Sequence, residues 1–339
     1  MSSNPPASRV TLTTDLQAAG RHFGDAMLRW SDNENPLGYH PIPVISLKGD
    51  AGPVLLVIGG THGDEFEGPC AIMRLVQKLD TAKLRGQIIA IPALNAPALT
   101  ASSRVTPLDG ANLNRAFPGS VDGGPTAMLA HFLETKILPL CDAAIDLHSG
   151  GKASFFQPCS LPADTADPTL GAQNMELARL FGLPLIWRLG ANNDNRSVNS
   201  AAERAGIPMV AAELGGGGGV DPDITNQAEA GVRNILCHLG ILDEDLTPTK
   251  AARIVEIASP HDSLYARSIG IFDRAVCAGQ AVEKGDLAGW FHYVTEPERR
   301  SERLCFSQSG LILAHTNRGI VKRGEMLALV VRDVCVDTN

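Results

Sequence analysis

Between residues 42 and 240 the chain alternates short apolar runs with longer amphipathic segments. Runs with the length and composition of buried strands occur at 54–58, 87–93, 143–147, 183–187 and 207–212. Helical periodicity predicts helices at 66–80, 125–140, 174–182, 197–205 and 224–239. Because such alternation is typical of α/β proteins, we predict a mainly parallel or mixed sheet with helices on both faces.

The pattern changes after residue 246, where short β-type runs separated by glycine turns replace the helical periodicity. Two stretches, at 279–289 and 319–328, place a glycine turn and an acidic residue between two such runs. We therefore predict an α/β domain over 1–246, in which 1–40 is an N-terminal extension, and a small all-β domain over 247–339. This barrel- or sandwich-like part resembles biotinyl/lipoyl-type barrels, but it lacks a Met-Lys carrier site, so we expect a structural or access-controlling module.

Two histidines stand at the ends of predicted strands. His62-Gly-Asp-Glu65 follows the first strand and its glycines, and His148 ends the third strand. Two neutral imidazoles and one carboxylate fill three positions of tetrahedral zinc and leave the fourth open to water, which is typical of a hydrolase. We predict that His62, Glu65 and His148 bind one Zn²⁺ per subunit. Asp64 and Asp146 are close enough in sequence to accept hydrogen bonds from the other imidazole nitrogens.

A long polar loop at 95–125 and a second strand end carry the other candidate site residues. A loop of this length within a compact domain is usually functional. Asn114 and Arg115 can present an amide and a planar fork to one carboxylate, and Arg104 is a second cation on the loop. Glu213 ends the fifth strand, where its carboxylate can act as a general base. The glycines after it lack the pattern of a phosphate loop, and no Gly-x-Ser-x-Gly motif indicates a serine hydrolase.

Together these motifs resemble the succinylglutamate desuccinylase/aspartoacylase family, relatives of the zinc carboxypeptidases. The matching motifs are Gly-Gly-Thr-His-Gly-Asp-Glu at 59–65, Leu-Asn-Arg-x-Phe-Pro-Gly at 113–119, Asp-Leu-His-Ser-Gly at 146–150, and Glu213. The resemblance spans about residues 42–240 and implies a zinc-dependent hydrolase that removes an acyl group from an N-acyl amino acid. It implies that Asn114 and Arg115 bind the substrate carboxylate and that Arg104 polarises the scissile carbonyl. Glu213 would act as base and then as acid.

Three further stretches, at 92–97, 109–115 and 148–152, resemble the family's branch of bacterial N-α-acetyl-L-2,4-diaminobutyrate deacetylases of ectoine breakdown. For that substrate the free side-chain amine needs an acidic partner, for which Asp194 and Glu203 are candidates. Aspartoacylases also use a tyrosine of the β domain, but here Tyr265 and Tyr293 lie in no matching motif. Three alternatives stay open: a deacylase of the succinylglutamate or acetylaspartate type, a metallocarboxypeptidase for short peptides, and a non-catalytic binding protein.

Composition limits the cellular compartment and the classes of partner that we expect. The formal net charge of −8, without a basic cluster, argues against a nucleic-acid surface. No apolar run approaches the roughly 20 residues that a membrane span needs, and no secretory signal is visible. Seven scattered cysteines without a Cys-x-x-Cys motif indicate reduced thiols. We expect a cytoplasmic protein whose partner is a small-molecule substrate, with homo-oligomerisation left open.

Overall fold

The computed structural model describes residues 7–33, 35–190, 193–257, 259 and 263–334. Its α-helices are α1 (Glu67–Lys78), α2 (Ala96–Thr100), α3 (Pro125–Phe132), α4 (Pro168–Phe181), α5 (Val198–Ala205) and α6 (Pro222–His238). The strands are β1 (Thr11–Leu12), β2 (Gly20–Leu28), β3 (His40–Lys48), β4 (Asp50–Gly59), β5 (Arg85–Ile91), β6 (Ala143–His148), β7 (Ser154–Phe156), β8 (Cys159–Pro162), β9 (Leu185–Trp187), β10 (Met209–Glu213), β11 (Arg253–Glu256), β12 (Leu264–Tyr265), β13 (Gly270–Arg274), β14 (Ala281–Val282), β15 (Leu287–His292), β16 (Glu302–Cys305), β17 (Gly310–Thr316), β18 (Ile320–Val321) and β19 (Met326–Asp333). Of the helices described, none combines the length and the apolar character that crossing a membrane requires.

In the described part of the chain, a 15-stranded mixed sheet forms the centre of the fold. Its strand order is β1-β2-β3-β5-β4-β6-β10-β8-β9-β11-β19-β17-β14, with β12 beside β19 and β7 beside β17. The central strands β5, β4, β6 and β10 pair in parallel, and so do β8, β9 and β11. The strands at both ends of the sheet pair antiparallel. The predicted α/β architecture is confirmed, and the sheet is mixed.

Helices cover both faces of the central sheet because its strands are apolar on both sides. In β4, Leu55 and Val57 pack into one core together with residues of α1, α4 and α6. Leu56 and Ile58 point to the opposite face and pack with residues of α3 and α5. Each of these side chains is at most 1% exposed, and burying one stabilises the fold by about 1.5–3 kcal/mol relative to leaving it exposed.

Several boundaries differ from the sequence-based expectation. Residues 20–28, expected within a polar extension, form β2, which pairs along its whole length with β3. The helix expected over 125–140 is α3 followed by a π-helical turn and a 3₁₀ turn, and Pro139 lies in the last of these. α4 begins at Pro168, earlier than expected, because the side chain of Asp167 accepts a hydrogen bond from the first turn.

The C-terminal part is all-β, as predicted, and its strands join the main sheet. β11 pairs in parallel with β9, and β19 continues the sheet beside β11. A second, antiparallel sheet has the order β16-β15-β13-β18. The two similar stretches form corresponding turns, with Gly285 and Gly324 at positive φ angles of 97° and 89°. The division into domains at residue 246 stays a prediction.

Candidate metal centre and substrate pocket

A sharp turn after β4 carries the His-x-x-Glu motif beyond the edge of the sheet. Gly60 turns the chain at φ +64°, a conformation that favours glycine. A Cβ atom on Gly63 would lie 1.9 Å from the carbonyl carbon of Ala98, so only glycine fits there. These two glycines place His62 and Glu65 beside each other in a buried turn just before α1.

Two parallel strands bring further polar residues to the same edge. β6 ends at His148 and β10 ends at Glu213, and these two residues are partners in the parallel register. β4 lies on the other side of β6, with Gly59 paired to Leu147. The motifs therefore meet at the carboxyl ends of adjacent strands, where α/β sheets place their ligands.

Glu65 lies between the two histidines. Its Oε1 is 2.7 Å from Nδ1 of His62, and its Oε2 is 2.9 Å from Nδ1 of His148. One potential ligand atom from each residue lies within 4.8 Å of the others, and all three side chains are buried. The structure thus brings together the three residues that the sequence predicted as metal ligands.

The far nitrogens of both imidazoles have oxygen partners. Asn112 Oδ1 lies 3.1 Å from Nε2 of His62, and Asp146 Oδ2 lies 2.8 Å from Nε2 of His148. An oxygen acceptor at Nε2 requires the proton there, which leaves a lone pair at Nδ1 of each neutral ring. In this tautomer no proton lies between Nδ1 of either ring and the carboxylate of Glu65, and such an arrangement suits a cation. The group therefore fits a metal ion.

Asp64, the other expected partner of an imidazole, has a different contact. Its Oδ2 accepts a hydrogen bond from the backbone N–H of Lys152. The carboxylate thereby fixes the turn that follows His148 rather than a histidine ring.

Charges in the cluster strongly shift the pKa values of Glu65 and His148. Burial acts to raise the pKa of Glu65, but the neighbouring His62 and His148 outweigh it and hold the pKa below its usual range. Burial acts to lower the pKa of His148, but Asp146 and Glu65 raise it well above the usual value. When no metal is bound, the negative charges of Asp146 and Glu65 therefore favour a proton on His148.

Glu213 lies beside this cluster with one carboxyl oxygen unpaired. Burial, and next the negative charge of Glu65, raise the pKa of Glu213 to about 8. Its Oε2 is buried and has no hydrogen-bond partner among the residues that the structure describes. A carboxyl group with a pKa near the working pH can both accept and donate a proton, which suits a general acid–base role.

A cavity of about 190 Å³ opens over these residues. Its wall includes six of the seven predicted site residues, and Glu65 is the exception. The polar part of the wall contains His62, Arg104, Asn114, Arg115, His148, Asn193, Asp194, Ser197, Asn199 and Glu213. Leu161, Trp187, Leu189 and Ala211 form an apolar part. The pocket therefore combines charged groups with a small apolar surface.

Arg104 reaches the pocket from a loop that is tied to the turn after His148. Its guanidinium lies 3.4 Å from Oε1 of Glu65 and is half exposed. Lys152 Nζ donates a 2.7 Å hydrogen bond to the carbonyl of Ser102, two residues before the arginine. This hydrogen bond connects the loop that carries Arg104 to the turn that follows His148.

A 3₁₀ turn orients Asn114 and Arg115. Asn114 Oδ1 accepts a 2.9 Å hydrogen bond from the N–H of Val198. Its Nδ2 therefore faces the candidate metal ligands and lies 3.4 Å from Nε2 of His148. Arg115 Nε lies 3.0 Å from Oδ2 of Asp194, and its NH1 donates to the carbonyl of Asn114. Both side chains are therefore fixed at the pocket with donors left for a ligand.

Of the two acidic candidates for an amine partner, Asp194 lines the pocket, whereas Glu203 is not among the lining residues. Tyr265 is half exposed on β12, and Tyr293 donates to Glu302; neither lines the pocket. The sequence-based prediction missed the contact of Asn112, although it stands in the Asn-Leu-Asn-Arg motif. It also missed Trp187 and Asn199, for which the sequence carries no signal.

Comparison with known proteins agrees with this geometry. The model of the succinylglutamate desuccinylase/aspartoacylase catalytic domain matches residues 51–239. An N-α-acetyl-L-2,4-diaminobutyric acid deacetylase from Halomonas elongata is 32% identical over 98% of this chain and 99% of its own length. The product-bound ectoine utilization protein EutE (DoeB) from Ruegeria pomeroyi superposes with a TM-score of 0.93, at 30% identity over 96% of this chain and 100% of that chain.

A succinylglutamate desuccinylase/aspartoacylase from Rhodobacter sphaeroides superposes with a TM-score of 0.90, at 32% identity over 96% of this chain and 100% of that chain. The domain match covers more than half of the sequence, and the relatives match almost all of it. The protein is therefore an amidohydrolase for linear amides and belongs to the succinylglutamate desuccinylase/aspartoacylase family.

Proposed function

We propose that the chain is a zinc-dependent deacylase whose preferred substrate is N-α-acetyl-L-2,4-diaminobutyrate, which it hydrolyses to diaminobutyrate and acetate. The observation that carries the proposal is the convergence of His62, Glu65 and His148 beneath a pocket that also contains Arg115 and Glu213. The full-length likeness to the Halomonas elongata deacetylase supports the choice of substrate.

Three buried side chains would hold the zinc ion: His62 and His148 through Nδ1, and Glu65 through its carboxylate. When bound, zinc supplies a Lewis acid that polarises a carbonyl oxygen and lowers the pKa of water. Asn112 and Asp146 keep the two rings in the tautomer that this role needs.

The substrate carboxylate binds to the guanidinium of Arg115 and to Nδ2 of Asn114. The planar fork of an arginine matches a carboxylate, and the anchored amide adds a second donor. This contact places the acyl group toward the end of the pocket that contains Arg104 and the metal ligands. Arg104 donates to the carbonyl oxygen as negative charge develops on it, an interaction worth roughly 3–4 kcal/mol for a single donor.

Glu213 moves the protons of the reaction. Its unpaired Oε2 accepts a proton from the attacking water, and the same carboxyl group then protonates the nitrogen of the leaving amine. The raised pKa supports this double role because the carboxyl group exchanges its proton near neutral pH.

We expect the enzyme to work in the cytoplasm on a small-molecule substrate, and the net charge of −8 argues against a nucleic-acid partner. One zinc ion per subunit and a possible homo-oligomer belong to the same proposal.

A substrate panel tests the function. Zinc-loaded protein is assayed for amine release from N-acetyl, N-succinyl and N-formyl amino acids, both acetyl-diaminobutyrate isomers, and a short peptide. The α-acetyl isomer should give the highest kcat/KM, and chelation should abolish turnover. Preference for the peptide would instead indicate a metallocarboxypeptidase, and preference for a dianionic substrate would indicate a desuccinylase or aspartoacylase.

The variant Glu213→Gln tests the mechanism in the same assay. It keeps the shape of the side chain and should lose roughly 10²–10⁴-fold in kcat while its zinc content stays unchanged. Near-normal turnover by a folded, zinc-loaded variant would remove Glu213 from the proton transfer.

A further inference from the structure

The first turn of α5 presents a buried amide to the pocket. Asn199 is 9% exposed and lines the cavity. No residue in the described part of the chain makes a hydrogen bond with its side chain, whereas its neighbours Ser197 and Ser200 are bonded to each other and to Asp194. Although the side chain is largely buried, its amide atoms are not among the fully buried polar atoms without a partner, so they are open to the cavity. The amide can therefore form hydrogen bonds with a ligand.

The charges around the pocket limit which ligand group this is. Two cations line the described wall: Arg104, which faces Glu65, and Arg115, which suits the substrate carboxylate. A second carboxylate on the substrate side chain would find no further cation among the described lining residues. Dianionic substrates of the acetylaspartate or succinylglutamate type therefore fit this wall poorly.

Asp194 is not the free acceptor that an amine needs. Arg196 donates to it through its backbone N–H, Nε and NH2, and Arg115 Nε lies 3.0 Å from Oδ2. These four contacts occupy the roughly four lone-pair positions of a carboxylate. The backbone carbonyl of Asp194 accepts a 2.9 Å hydrogen bond from the hydroxyl of Ser200, next to Asn199 in the chain.

We propose that Asn199 is a specificity-determining residue whose amide oxygen accepts a hydrogen bond from a protonated amine on the substrate side chain. An ammonium group has donors and no acceptor, so it complements an unpaired amide oxygen. The inference rests on the proposed function and adds to it the residue, Asn199, that recognises the side chain of the substrate's amino acid.

The test compares two substrates that differ only in this amine: N-α-acetyl-L-2,4-diaminobutyrate and N-acetyl-L-2-aminobutyrate. Asn199→Leu, which keeps the volume but removes the acceptor, should lower kcat/KM for the first by about ten- to a hundredfold. Turnover of the second should change little. Asn199→Asp, which keeps the shape and an acceptor, should retain the preference for the amine-bearing substrate. Equal losses on both substrates, or a preference that Asn199→Leu leaves intact, would overturn the proposal.

Asn226→Leu is the matched control, because it makes the same substitution at an exposed position of α6 outside the pocket wall. It should leave both substrates unaffected, with zinc content and thermal unfolding measured for every variant. A wild-type enzyme that does not prefer the amine-bearing substrate would contradict the proposed function and this inference together. A wild-type preference that survives in Asn199→Leu contradicts the inference alone.

Discussion

Oδ2 of Asp146 lies 2.8 Å from Nε2 of His148, on the opposite side of the ring from Glu65. The two residues are two positions apart in β6 and therefore point to the same face of the strand. The other carboxylate oxygen, Oδ1, accepts a 2.9 Å hydrogen bond from the hydroxyl of Thr61. One strand thus supplies both a candidate metal ligand and the group that orients it.

We expect Asp146→Asn to bind zinc about 10- to 100-fold more weakly than the wild type. The amide removes the negative charge that makes the His148 ring a stronger ligand and holds its Nε2 proton. Competition with a chromophoric chelator measures the Kd. Thr61→Val, which removes only the hydroxyl contact to Asp146, should weaken binding less. An unchanged Kd in folded Asp146→Asn would show that the carboxylate does not support the ligand.

Zinc binding should release fewer protons from Glu213→Gln than from the wild type. The pKa of Glu213 is raised to about 8, so at pH 7 most of this carboxyl group is protonated in the metal-free protein. A bound cation adds positive charge nearby and lowers that pKa, so loading at pH 7 releases the proton. His148 contributes equally in both proteins, and the difference should approach about one proton.

Isothermal titration in buffers of different ionisation enthalpy measures this proton count. From pH 6 to 8 the zinc affinity of the wild type should also rise more steeply with pH than that of the variant, because only the wild type must deprotonate this carboxyl group. Equal proton release by the two proteins would mean that zinc does not change the charge of Glu213.

The position of the candidate metal centre could be predicted from sequence because local patterns determine where its residues lie. His62, Glu65 and His148 directly follow or end apolar runs, and the carboxyl ends of parallel strands meet at one edge. Glu213 could be placed for the same reason. The helices and central strands were predictable because their residues are buried on regular faces.

Other features depend on contacts between distant parts of the chain. Asn199 reaches the pocket because the start of α5 is held next to Asn114. The side chain of Asn114 accepts a hydrogen bond from the N–H of Val198, which lies 84 residues further along the chain. β2 was missed because its residues do not alternate regularly between buried apolar and exposed polar: Phe23 is 62% exposed, and only Ala26 and Leu28 are buried. Its pairing with β3 cannot be inferred from local periodicity. Contacts of this kind follow only from the assembled fold.

A fragment that ends at residue 246 should not fold stably. Val255 and Val331 are fully buried and pack with Leu185 and with Leu161, which lines the pocket, and β11 pairs directly with β9. Removing the C-terminal strands exposes this core and leaves an unpaired edge. We expect one cooperative thermal transition for the full chain and an insoluble or unfolded fragment. A soluble fragment with its own sharp transition would establish two independent domains.

Arg115→Lys should raise the KM for N-acyl amino acids about tenfold or more while changing kcat less. The arginine contacts Asp194 through Nε and the carbonyl of Asn114 through NH1, which holds its plane toward the pocket, and a lysine cannot make these contacts together. The increase should disappear for a substrate whose α-carboxylate is converted to an amide. Arg253→Lys, which alters an exposed arginine fork on Asp333, is the matched control and should leave KM unchanged. A fall in kcat without a change in KM would assign Arg115 to the chemical step instead of substrate binding.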